Sequence, residues 1–173
     1  MLKYKLSKDT FKIVVLLYFF SNAFLLITYS NHDQKVSAQK DLSITTSNFV
    51  KIKDLIIPVD LAITPDQQAM GLSFRNSLNA SQGMLFLFHT PGDYSFWMKD
   101  MKFPLDILWI NSDNNIVHIE KNLQPCVFIL LCPSYSPHSI SKYVLEVNSN
   151  YTTKNNITVG DRVSFNIANS TKP

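Results

Sequence analysis

The sequence predicts a mainly β fold: a β-rich α+β domain, built as a small antiparallel barrel or two packed sheets with one short helix, behind an N-terminal membrane segment. Three observations lead there. Strand-length apolar runs separated by turn residues recur from residue 49 onward. A single stretch carries helix punctuation, and a basic block followed by an apolar run stands at the N-terminus.

The N-terminal run comes first. Lys3, Lys5, Lys8 and Lys12 precede a mainly apolar stretch from Ile13 to Tyr29, interrupted by Ser21, Asn22 and Thr28. This is the pattern of a signal peptide or a signal anchor. The stretch lies at the lower edge of the ~17–25 residues that a membrane helix needs. Thr28 and Ser30 offer a small-x-small cleavage site, no Ala-x-Ala follows, and no Cys stands near the run for a lipid anchor. The reading favours residues 1–30 as a basic cytoplasmic segment and retained anchor, with membrane contact through residues 13–29. Cleavage remains the alternative. The remainder then lies outside the cytoplasm, at the cell membrane or secreted.

The formal charge of +3 belongs to this end. Residues 1–40 hold six lysines against Asp9 and Asp33, leaving ten basic against eleven acidic residues in the rest. No basic patch argues for nucleic acid. Residues 31–47 are polar and without periodicity, which reads as a linker, and the folded domain is expected over 48–169.

Within that domain, "FVKIKDLIIPVDLAI" gives a short strand, a turn at Lys53-Asp54 and a longer strand whose Pro58 suggests an edge or a bulge. "TPDQQAMG" then supplies a cap at Thr64, Pro65 at the first helical position, Gln67 to complete a capping box, and Gly71 to terminate in the left-handed region. A helix over about residues 65–70 is predicted. After the loop "LSFRNSLNASQG" come strand-length runs at Met84–Phe88, Ser95–Met98, Leu105–Ile110, Ile116–Glu120, Tyr143–Asn148 and Arg162–Ile167, with "NSDNN" as a hairpin connection. Gly83 reads as a backbone requirement rather than a chemical one.

Cys126 and Cys132, in "QPCVFILLCPSY", are expected to form a disulfide outside the cytoplasm. With His138 they would supply only three metal ligands at a spacing that matches no usual zinc site, so no metal and no cofactor is assigned. Asn79, Asn150, Asn156 and Asn169 stand in N-x-[ST] sequons and are glycosylation candidates.

"VDLAITPDQQAMGLSFRNSL", "GMLFLF", "FWMKDMKFPLDILWI", "YVLEVN" and "GDRV", in that order, resemble the DUF192 (UPF0127) family from about residue 50 to 166. The resemblance implies a small β-rich domain, often behind a signal or membrane segment, with no established biochemical activity. Asp100 follows the motif's Lys99 where the family pattern has Asn, and Asn114-Asn115 stands in the hairpin where Gly is common. Asn tolerates positive φ there.

The central motif carries the candidate site. On a strand, Asp106 shares a face with Leu108 and Ile110, while Leu105, Ile107 and Trp109 take the other, so both faces are apolar. A carboxylate buried there needs a partner: Lys99, Arg75 or backbone N–H groups. One reading is a purely structural pairing. The other is a cleft in which Phe96, Trp97 and Met98 give apolar contact and Arg75, Lys99, Asp100 and Asp106 converge as ligand-binding groups for a small polar or carbohydrate-like molecule. Glu146 alternates against Tyr143, Leu145 and Val147 and is expected on a solvated face, as is His118.

Two further function classes stand beside ligand binding. An accessory subunit would dock on another envelope protein through "CVFILLC", too apolar to leave in water without cause. A hydrolase would use Asp100 and Asp106 as paired carboxylates, but the sequence has no GxSxG, HExxH or phosphate loop, so an enzyme is the lesser reading and no catalytic residue is assigned.

Overall fold

The structure, a computed structural model, describes residues 48–126 and 132–168. The N-terminal segment, the interior of the "CVFILLC" loop and the Asn169 sequon lie outside the described residues.

The strands are β1 (Phe49–Ile52), β2 (Leu55–Ala62), β3 (Gly83–Gly92), β4 (Phe96–Trp97), β5 (Leu105–Ile110), β6 (Ile116–Leu123), β7 (Ser134–Tyr135), β8 (Ser141–Asn148) and β9 (Val163–Asn166). Two short helices, α1 (Pro65–Met70) and α2 (Tyr151–Lys154), complete the fold. Seven strands form one curled half-barrel in the order β6-β5-β8-β3-β2-β1-β9, and β4 pairs with β7 apart from it.

The expected barrel or pair of packed sheets thus resolves into a half-barrel. Its two ends approach where Asn115 bridges Arg162, and the Ile116 amide donates to the Asp161 carbonyl at 3.0 Å. One pair is not antiparallel: β2 and β3 run parallel from Val59–Gly83 to Ala62–Phe86, because α1 carries the chain back across the sheet. Pro58 explains how β2 serves two neighbours. β1 pairs with Leu55 through Pro58, β3 with Val59 through Ala62, so the missing N–H falls at the changeover.

The capping box forms as expected: Thr64 Oγ1 accepts from the Gln67 amide at 3.3 Å and the Gln67 side chain accepts from the Thr64 amide at 3.0 Å. Gly71 ends the helix at φ +50° but ψ −131°, a positive-φ conformation outside the left-handed helical region that the sequence predicts. In the "NSDNN" hairpin Asn114 takes φ +63°, as its side chain permits. The β7 strand and α2, neither of which the apolar pattern signals, are short and partly polar.

Both faces of the central strands are covered. Val50, Ile52, Ile57, Leu85, Leu108, Ile110, Leu145 and Val163 fill the concave face. Met84, Phe86, Ile107, Trp109 and Val144 form a second cluster on the other face, closed by Leu72, Met98 and Met101 from the loops.

Candidate functional site

Asp106 is fully buried, and the structure gives it partners that close off the chemistry of the motif. Its Oδ1 accepts from the amides of Asn122 (2.8 Å) and Asn150 (3.1 Å). Its Oδ2 accepts from the amide (2.9 Å) and hydroxyl (2.6 Å) of Thr152. Four donors satisfy the charge without a cation, which is how a buried carboxylate is made tolerable. Asp106 thereby fastens the start of α2 and the end of β6 onto β5.

The other residues of the expected cluster do not converge on it. Arg75 pairs with Asp60 across 2.7 Å in a half-exposed setting, with Gln82 on the second Asp60 oxygen at 3.3 Å. The Lys99 ammonium lies 5.3 Å from the centre of the Trp97 ring. Asp100 sits at φ +58°, and its carbonyl accepts from the Phe74 amide at 3.0 Å. Together with Ser73 Oγ donating to the Lys99 carbonyl at 3.2 Å, this ties the loop after α1 to the motif loop. His118 is half-buried and 3.0 Å from Glu120.

What the structure does assemble lies on the face opposite Asp106. A cleft of about 340 Å³ opens between α1, the Gly71–Ser73 turn, the Tyr94–Trp97 segment and the sheet. Its walls are aromatic: Phe86 meets Phe96 edge to face at 4.9 Å, and Phe88 stacks on Tyr94 at 3.5 Å. Trp97 stands at the mouth, 54% exposed. Of the residues singled out from the motif for ligand contact, Phe96 and Trp97 line this cleft; Met98, Arg75, Lys99, Asp100 and Asp106 do not.

Two hydrogen bonds hold the walls in place. Gln68 Nε2 donates to the Leu87 carbonyl at 2.7 Å, fixing α1 to β3, and the buried Trp109 indole donates to the Tyr94 carbonyl at 2.7 Å. The Cys126–Cys132 disulfide is formed, and the Cys126 amide donates to the Met98 carbonyl at 3.0 Å, beside the motif. Asn79, Asn150 and Asn156 are exposed.

Glu146 is the residue that sequence reasoning misplaced. Expected on a solvated face, it is 5% exposed, lines the cleft, and its Oε2 has no hydrogen-bond partner. Burial pushes its carboxyl up to about 8, with the Arg75 charge pulling partly the other way. Its β-sheet neighbours in register are Met84 and Ile107, neither able to share a proton. Gly71 passes directly over it: a Cβ built there would lie 4.0 Å from Oε2 and 3.2 Å from the Phe86 ring. A signal was present. In "YVLEVN" Glu146 shares its face with Val144, so both faces are apolar but for one acid, the same pattern that marked Asp106.

Residues 48–165 match the DUF192 family, described as "Uncharacterized ACR". Two solved structures are similar. One, from Sinorhizobium meliloti 1021 and described as a candidate transcription regulator, is 29% identical with a TM-score of 0.62, over 68% of this chain and 91% of its own. The other, a protein of unknown function from Novosphingobium aromaticivorans DSM 12444, is also 29% identical with a TM-score of 0.62, over 68% of this chain and 83% of its own. No curated protein matches the chain.

Proposed function

The chain belongs to the DUF192 family, and from that premise we propose that its β domain is a binding module that takes a small polar, carbohydrate-like ligand in the cleft beside α1. The observation that carries the proposal is Glu146, a buried carboxyl with an unpartnered oxygen at a cleft with five aromatic residues in its lining. An unsatisfied buried polar atom costs roughly 1–3 kcal/mol, and a ligand that completes its hydrogen bonding recovers that cost. Aromatic rings offer the flat apolar contact that a sugar face needs.

The setting we propose is extracytoplasmic. The lysine-flanked apolar run at 13–29 supports an anchor or a cleaved leader, and a disulfide suits an oxidising compartment. The Sinorhizobium meliloti protein is described as a candidate transcription regulator. Residues 41–173 carry one more acid than base, a balance that gives phosphate binding no support. Nor does the geometry favour hydrolysis by Asp100 and Asp106, since the Asp106 carboxylate is engaged by four donors on the far face.

A thermal-shift screen of the full chain against sugars, nucleotides and amino acids tests the proposal. Ligand at 100 times its dissociation constant stabilises by about 2.7 kcal/mol. A sugar that raises the melting temperature, with the shift lost in Trp97→Ala, supports the reading. A screen flat throughout moves the function to a protein partner docked at the Cys126–Cys132 loop.

A further inference from the structure

The cleft lining contains one acid and no base. Glu146 is the sole carboxyl there, and the rest is aromatic, aliphatic or neutral polar. Arg75 and Lys99 lie outside the lining: Arg75 is held by Asp60, and Lys99 is engaged with Trp97.

Aromatic faces attract cations through their quadrupole, most strongly where water is excluded, and a buried carboxylate needs a positive partner. Both demands are met by one ligand group. We propose that the cleft selects an organic ammonium, so that within the carbohydrate-like class its ligand is an amino sugar, with the ammonium on Glu146 Oε2 and the ring against Phe96 and Trp97. This rests on the cleft being the binding site.

The step has a defined proton balance. At neutral pH the unliganded Glu146 is mostly protonated, because burial raises its carboxyl to about 8. The ligand enters as R–NH3+, the Glu146 O–H bond breaks, its proton passes to buffer, and the carboxylate–ammonium pair remains. Among the described residues, no other carboxyl and no basic side chain lines the cleft. From β3 and β5 the register neighbours are Met84 and Ile107, α1 contributes Gln68, and the turn contributes Gly71 and Leu72. Tyr94 is the only other titratable side chain in the lining, and the Arg75 charge acts from outside it.

Titration calorimetry of the full chain with glucosamine, glucose and choline, near pH 6.5 in buffers of different ionisation enthalpy, decides the matter. Glucosamine should bind at least about tenfold more tightly than glucose and release about one proton, whereas glucose should release none. Glu146→Gln should erase both the preference for glucosamine and the proton release. Equal binding of the two sugars without proton release overturns the ammonium assignment and leaves the carbohydrate reading standing. Choline binding with proton release, with neither sugar bound, supports the ammonium assignment and overturns the carbohydrate class. Silence from all three overturns both.

Discussion

The indole nitrogen of Trp109, fully buried in β5, donates to the carbonyl oxygen of Tyr94 across 2.7 Å, so the sheet itself holds the aromatic wall of the cleft. The Trp109 ring also meets Phe96 edge to face at 5.9 Å. Trp109→Phe keeps an aromatic body but removes the donor and some volume, leaving the Tyr94 carbonyl without this partner. We expect a loss of about 1–3 kcal/mol in urea denaturation. Because the chain has two tryptophans, Trp97 becomes the sole tryptophan in this variant, and its emission, excited selectively, should shift to the red as the wall loosens.

Asp106 holds three segments together through four donors, and its replacement should cost stability rather than binding. In Asp106→Asn one oxygen remains to accept, and the new amide N–H groups face backbone donors. The expected loss is roughly 3 kcal/mol or more by chemical denaturation. If the variant were as stable as the parent, the structural role assigned here would be wrong.

The contrast between Asp106 and Glu146 shows what a sequence can disclose about such a fold. The punctuation of α1 is local, with Thr64, Pro65, Gln67 and Gly71 within eight positions, and it reads off directly. Burial of Asp106 is also legible, since both faces of its strand are apolar. Its partners are not: Asn150 and Thr152 lie 44 and 46 residues away and arrive only because β8 pairs with β5. Alternation misled at Glu146 because it reports a difference between two faces, not what covers each of them. Here the turn after α1 and the Tyr94–Met101 segment cover the second face, and loop placement leaves no periodic trace. Trp97 was found from the motif; the α1 side of the cleft was not, because a six-residue helix without a buried side chain looks like a mere connection.

Gly83 is required by the close approach of β3 and β8. A Cβ there would lie 2.8 Å from the Glu146 carbonyl oxygen, a backbone atom held in the ladder on both sides. Gly83→Ala should therefore cost about 1–3 kcal/mol as the strands are pushed apart. Gly92→Ala is the control, because the nearest atoms to its added methyl belong to the Tyr94 side chain, at 3.3 Å and beyond. A smaller drop in melting temperature for Gly92→Ala than for Gly83→Ala is the expected order; the reverse order counts against the strand contact as the cause.

Glu146 should make the domain less stable as pH rises. Its carboxyl is raised from an ordinary 4.5 to about 8 in the folded chain, so between those values the folded state binds more protons than the unfolded one. The stability slope with pH follows the protons bound unfolded minus those bound folded, and it is negative in this window. The contribution is complete below about pH 4.5 and lost progressively up to about pH 8, beyond which the slope flattens. Within the window the limiting slope is about 1.4 kcal/mol per pH unit. Urea midpoints across this range should fall for the parent chain and stay comparatively level for Glu146→Gln, which cannot ionise. A saturating ammonium ligand should also level the parent's slope, because the paired carboxylate no longer holds the proton. A parent slope identical to that of Glu146→Gln would mean that the carboxyl is already ionised in the folded chain and has found a partner.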